Sequence, residues 1–143
     1  MNSEELAQRA TNQLKRADHK ILSLLGVEIV EVHPGRSKAK LVVRDDLVNG
    51  ANVCHGGIIF TLADFALAYA GMSNNHIGVT QSASIIYTNP AILGDTLLAE
   101  AQISFDGGGR TSAVNVLVTN QNGAQIAQMH AVWSKSKQQL VEE

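Results

Sequence analysis

One apolar run of helical length stands in the middle of the chain and reads Ile58-Ile59-Phe60-Thr61-Leu62-Ala63-Asp64-Phe65-Ala66-Leu67-Ala68-Tyr69-Ala70-Gly71-Met72. Because apolar side chains fall on every face of such a helix, we expect the helix to be buried. The run is shorter than the ~20 apolar residues that a membrane span needs, which favours a place in the core of a domain. Its one charged residue is Asp64.

Asp64 is therefore the first candidate functional residue. An ionised carboxylate in apolar surroundings is costly unless it is paired or hydrogen-bonded, and a leucine would carry no such cost. One explanation is that Asp64 caps a neighbouring backbone group, because buried charges are found paired. The other is that Asp64 is a catalytic carboxylate, because titratable groups in apolar clefts concentrate at functional sites.

The elements around this helix predict an α+β domain. Residues 3–25 have helical spacing, with Ser3 as the N-cap, a restart at Asp18 and a stop at Gly26. The central helix is expected over about residues 56–72. Alternating and β-branched stretches predict six strands, over residues 27–33, 37–44, 79–87, 97–105, 111–119 and 124–134.

The last four strands are expected to form a meander, with turns at Gly107-Gly108-Gly109 and Gln121-Asn122-Gly123. A single apolar helix among antiparallel strands has to be wrapped by the sheet. We therefore expect one domain over residues 1–143, with an N-terminal helical segment (1–25) and a core (26–136).

Composition and charge narrow the class of protein. A net charge of -2 argues against a general nucleic-acid-binding surface, which would be strongly basic. Only 17% of the residues are charged, which favours an oligomer with much of its surface covered. The single cysteine, Cys54, excludes an intrachain disulfide and indicates a reducing compartment. The acidic N-terminus predicts no signal peptide, so we expect a cytoplasmic protein that binds no membrane.

A His-Gly-Gly sequence, His55-Gly56-Gly57, comes directly before the apolar run. The first N–H groups of a helix have no intrahelical partner and carry the positive end of its dipole. Two glycines leave room for a ligand oxygen to approach those groups, as in an oxyanion hole. The alternative is that the glycines only permit close packing of the helix against the sheet.

If the protein is an enzyme that uses Asp64 together with an oxyanion hole at Gly56, the spacing of these two residues predicts a dimer. Gly56 and Asp64 are ~12 Å apart along one helix, at 1.5 Å per residue. A base or nucleophile and an oxyanion donor must both lie within ~3 Å of one reacting centre. Two antiparallel helices from two subunits can bring them together, with Gly56 of one chain facing Asp64 of the other.

These residues form a spaced set that resembles the hotdog-fold acyl-CoA thioesterases, in particular the phenylacetate-degradation (PaaI-like) type. The similarity covers most of the chain, from about residue 22 to residue 134. It is carried by Asn49, His55-Gly56-Gly57, Asp64, Gly94-Asp95 and Gly109-Arg110-Thr111.

The resemblance implies a long helix wrapped by an antiparallel sheet and two subunits joined edge to edge, as a homodimer with shared sites and then a homotetramer. It assigns Asp64 as base or nucleophile and the Gly56 N–H as the donor that polarises the thioester carbonyl. Asn49 and His55 would orient the thioester or the water. The implied reaction is hydrolysis of an aryl-acetyl-CoA, such as phenylacetyl- or hydroxyphenylacetyl-CoA, or of a medium-chain acyl-CoA, without a cofactor.

Two other functions are compatible with these residues: an acyl-CoA-binding or regulatory hotdog module without chemistry, and a hotdog acyl-CoA dehydratase. Gly57 is a candidate substrate-binding residue, and Arg110 would meet the phosphates of coenzyme A or remain a solvated turn charge. Cys54 is expected as a small buried filler rather than a nucleophile. His130 and Trp133 are expected as packing residues, and no metal site is predicted, because the histidines lack ligand spacing.

Overall fold

The computed structural model describes residues 1–106 and 108–143, so that Gly107 of the predicted glycine turn lies outside the described residues. Two 3-10 turns, Asp45–Leu47 and Met72–Asn74, flank the central helix. The helices are α1 (Ser3–Ala17), α2 (His19–Leu25) and α3 (Gly56–Gly71). The strands are β1 (Glu28–His33), β2 (Arg36–Val42), β3 (His76–Tyr87), β4 (Thr96–Asp106), β5 (Thr111–Thr119) and β6 (Gln125–Gln139).

The strands form one antiparallel sheet in the order β1-β2-β4-β5-β6-β3. The predicted meander is therefore wrong at β3, which pairs with β6 at the edge of the sheet and not with β4. The connection after β3 carries the chain across to the end of β2, where the Gly94 N–H donates to the Val43 carbonyl and the Val43 N–H to the Asp95 carbonyl. β4 is thereby paired with β2 from its first residue. Alternation predicts strands but not their partners.

Helix α3 packs against β2, β4 and β5. With the 3-10 turn that follows it, over Gly56–Asn74, it is long and apolar enough to cross a membrane, and 56% of that window is buried, as in the core helix of a soluble domain. Its core side is fully buried and consists of Leu62, Ala63, Ala66, Leu67 and Ala70.

The expectation that α3 is buried on every face is wrong for the single chain. Side chains spaced three and four residues apart lie on one face of a helix, and one such face of α3 is still partly exposed. We call it the open face of α3. It consists of Gly57, Phe60, Thr61, Asp64, Phe65 and Ala68.

The N-terminal helices pack beside α3 and β1. The N-cap of α1 is Asn2, whose side-chain oxygen accepts from the Glu5 N–H at 2.8 Å, so the prediction of Ser3 was wrong by one residue. The predicted stop at Gly26 is confirmed, because this residue takes the left-handed conformation with φ 72°. The Tyr69 hydroxyl of α3 donates to Asp18 Oδ2 at 2.9 Å and so ties the two helices to the core.

Candidate active site

The N-terminal end of α3 presents two backbone donors. The Ile58 and Ile59 N–H groups donate to the His55 carbonyl, at 3.0 and 3.3 Å. Within residues 1–106 and 108–143, no acceptor is bonded to the Gly56 or Gly57 N–H, and the His55 side chain does not cap the helix. These N–H groups also carry the positive end of the helix dipole. They are therefore free to bind a ligand oxygen.

The two glycines have different surroundings. A Cβ at Gly56 would lie 3.1 Å from the ring of Tyr87, whereas a Cβ at Gly57 would meet nothing within 4 Å. Close packing therefore accounts for Gly56 but not for Gly57. The open space above Gly57 is the approach that a ligand oxygen would need.

Asn49 and His55 lie beside this helix end. Asn49 Oδ1 accepts from the Ala51 and Val53 N–H groups, so the side chain shapes the loop that leads into α3. His55 is exposed. Asn49, His55 and Gly56 line one cleft of about 410 Å³, together with Tyr87 and residues 88–91 of the following segment.

Asp64 lies on the open face of α3 and does not line this cleft. Its Oδ1 accepts a hydrogen bond of 2.7 Å from the Thr80 hydroxyl of β3. Among the residues that the structure describes, no backbone N–H donates to the Asp64 carboxylate, so the backbone-cap explanation considered from the sequence finds no support. One chain thus brings together Asn49, His55 and Gly56, and leaves Asp64 apart from them.

Sequence reasoning missed Thr80 and Tyr87, both on β3. The chain separates Thr80 from Asp64 by 16 residues and Tyr87 from Gly56 by 31. Thr80 and Tyr87 reach Asp64 and Gly56 only because β3 packs beside α3. The local spacing of residues does not predict this packing. The sequence held no signal that distinguishes Thr80 from the other polar residues of β3.

Arg110 lies in a different place, directly before β5. It lines a pocket of about 510 Å³ with His76, Lys135 and Lys137, and no carboxylate is among the described residues that line it. The Lys135 N–H donates to the Arg110 carbonyl at 2.8 Å, which holds the two cationic residues side by side. We call this group of four residues the basic pocket.

The structure agrees with the predictions for Cys54 and Trp133 but not with the prediction for His130. Cys54 is buried as expected, and burial raises the pKa of its thiol, which makes it a poor nucleophile. Trp133 is buried against Gly71 and Gly78, so the packing role is confirmed. His130 is exposed and bonded to Asn115, so the packing prediction is wrong for it. The side chains of β6 alternate between the two faces of the sheet, and His130 falls on the outer one.

The sequence is similar to those of known thioesterases. The family model described as "Thioesterase superfamily" matches residues 51–127. The acyl-coenzyme A thioesterase PaaI of Escherichia coli is 34% identical over 103 residues, which are 72% of this chain and 73% of that protein.

Solved structures have the same fold. The E. coli PaaI structure superposes with a TM-score of 0.91 and 27% identity, covering 96% of this chain and 99% of that one. A Streptococcus mutans protein bound to acetyl-CoA has a TM-score of 0.75 and 31% identity, covering 79% and 90%. A hypothetical thioesterase from Streptococcus pneumoniae with coenzyme A has a TM-score of 0.81 and 25% identity, covering 87% and 98%. The α+β architecture is thus the hotdog fold, and the chain belongs to the thioesterase superfamily.

Proposed function

We propose that this thioester hydrolase cleaves acyl-CoA to the free acid and coenzyme A at a site that uses Asp64 and the N-terminal end of α3. The observation that carries the proposal is the pair of N–H groups at Gly56 and Gly57, to which no acceptor is bonded in the described part of the chain, on the same helix as a partly exposed carboxylate. The E. coli relative is an acyl-coenzyme A thioesterase, and the S. mutans structure holds acetyl-CoA.

In this mechanism Asp64 activates water, or attacks the thioester carbonyl itself and forms an anhydride that water then opens. The Gly56 N–H and the helix dipole stabilise the oxyanion, and the Gly57 N–H lies beside it. Asn49 and His55 orient the thioester or the water. Coenzyme A leaves as a thiolate, which needs no strong general acid, so we propose that no cofactor or metal takes part.

Positions replaced in a relative support the role of Asp64. Two structures of the S. pneumoniae thioesterase carry alanine in place of an aspartate and of a threonine, and these positions are 16 residues apart. Asp64 and its hydrogen-bond partner Thr80 have the same separation of 16 residues. Thr80 would hold the carboxylate in its reacting orientation.

The site is proposed to form between two subunits. Residue spacing puts Gly56 and Asp64 ~12 Å apart on α3, too far for one reacting centre. The open face of α3 lies next to β3, the last strand of the sheet, because Thr80 of β3 donates to Asp64. A second chain can cover both. We propose such a homodimer, a homotetramer built from it, and a place in the cytoplasm.

The basic pocket is proposed to bind the phosphates of coenzyme A. Arg110, Lys135 and Lys137 supply three cations without a carboxylate among the described lining residues, which suits a diphosphate and a 3′-phosphate. His76 of the basic pocket lies on β3, the strand whose Thr80 donates to Asp64, so β3 connects the pocket with the carboxylate.

Replacement of Arg110 with alanine should therefore raise the KM for acyl-CoA by about fivefold and leave kcat nearly unchanged, since a charge-assisted hydrogen bond is lost. Steady-state kinetics with acyl-CoA and with the matching acyl-pantetheine, which lacks the nucleotide, will measure this. The acyl-pantetheine KM should not change. Lys15→Ala, an exposed cation on α1, is the control. An equal rise in KM for both substrates would contradict phosphate binding at Arg110.

Thiol release from a panel of acyl-CoAs tests the function itself. We expect turnover of aryl-acetyl-CoAs, such as phenylacetyl- or hydroxyphenylacetyl-CoA, or of medium-chain acyl-CoAs. Binding without thiol release would indicate the non-catalytic module. Hydration of an enoyl-CoA, or dehydration of a 3-hydroxyacyl-CoA, without free thiol would indicate the dehydratase. Either result would overturn the proposal.

A further inference from the structure

Tyr87 makes a contact with the helix end that the proposed mechanism does not use. Its hydroxyl donates to the Gly56 carbonyl at 2.8 Å, and its ring lies where a side chain at position 56 would have to go. Tyr87 is the last residue of β3, and 48% of it is exposed. It lines the same cleft as Asn49 and His55.

The Gly56 carbonyl and the Gly57 N–H belong to one peptide group, which is planar and conjugated. A hydrogen bond accepted by the carbonyl polarises that group and makes its N–H a stronger donor. The same bond fixes the direction of the N–H, because the peptide plane cannot rotate freely. The preceding peptide group consists of the His55 carbonyl and the Gly56 N–H. It is held in a similar way, because its carbonyl accepts from the Ile58 and Ile59 N–H groups.

We propose that Tyr87 is a positioning residue for thioester hydrolysis, whose hydroxyl orients and polarises the Gly56–Gly57 peptide so that the Gly57 N–H acts as a second oxyanion donor. This rests on the proposed function. The oxyanion site then consists of two N–H groups, those of Gly56 and Gly57. Each belongs to a peptide group whose carbonyl accepts a hydrogen bond. Partial burial raises the pKa of the Tyr87 phenol, so that the hydroxyl stays a donor throughout neutral and mildly alkaline pH.

Tyr87→Phe tests the proposal, because it removes the hydroxyl and keeps the ring against Gly56. Loss of one neutral hydrogen bond to the oxyanion site should lower kcat about fivefold with KM within twofold of the wild type. Tyr69→Phe is the matched control, since it removes the same group from a tyrosine whose hydroxyl donates to Asp18 and which lies outside the proposed site. This control should leave kcat unchanged.

An amide NMR spectrum gives a readout that does not depend on activity. In Tyr87→Phe the Gly57 amide proton should move upfield, while the amide shifts of β6 stay in place. An unchanged kcat together with an unchanged Gly57 shift would overturn the proposal. An equal loss of kcat in Tyr69→Phe would also overturn it, because it would indicate a general disturbance of α3 on loss of a tyrosine hydroxyl. If the wild type releases no thiol from any acyl-CoA, the proposed function fails, and the Gly57 shift still decides whether Tyr87 polarises the peptide.

Discussion

Replacement of Asp64 with asparagine should lower kcat for acyl-CoA hydrolysis by ~10²-fold or more, the usual loss for a positioned acid or base. Asparagine keeps the shape of the side chain and can still accept the 2.7 Å hydrogen bond from Thr80, so the change removes the charge and little else. The variant should stay folded, because the open face of α3 loses an ionised group and no packing contact. Initial rates of thiol release and the thermal unfolding midpoint of the same preparation will measure both.

Asp18→Asn is the matched control for this variant. Asp18 also accepts a hydrogen bond from a hydroxyl, that of Tyr69, and lies outside the proposed site. We expect its kcat to equal that of the wild type. Near-normal turnover in Asp64→Asn would remove Asp64 from the mechanism, and a similar loss in both variants would show that the effect comes from the fold.

Much of the fold could be predicted because its main signals are local. The apolar run before Met72, the left-handed stop at Gly26 and the turn at Gln121-Asn122-Gly123 each depend on neighbouring residues, and the structure has an element boundary at each. The pairing of β3 with β6 could not be predicted, because it joins segments far apart in the chain. Alternation gives both strands the same signal whichever partner they take.

The site was predictable where backbone chemistry alone defines it. The geometry of a helix end is sufficient to expect free N–H groups at Gly56 and Gly57. No acceptor within residues 1–106 and 108–143 is bonded to either group. That geometry is not sufficient for Thr80 or Tyr87, whose roles exist only because β3 lies beside α3. The partial exposure of Asp64 in the single chain was also missed. An apolar helix indicates burial both when its own sheet packs against it and when a second chain does.

A hybrid dimer should show directly whether two chains share each site. One chain carries Asp64→Ala and the other Gly57→Val, and two different affinity tags allow the hybrid to be isolated. Position 57 is suitable because a Cβ there meets nothing within 4 Å in its own chain, so valine fills the space over the donors without disturbing the fold. Each parent homodimer should be nearly inactive.

In the hybrid, the Gly57 end of the first chain faces the Asp64 of the second, which makes one intact site, while the other site is damaged twice. Twofold symmetry then predicts about half of the wild-type rate per dimer. The inverse hybrid, a wild-type chain with a chain that carries both changes, should be inactive, because each of its sites lacks one component. If each chain instead held a complete site, the two results would be exchanged. The first hybrid would be inactive, and the second would have about half of the wild-type rate per dimer. The pair of hybrids thus distinguishes the two arrangements by opposite outcomes on the same set of substitutions.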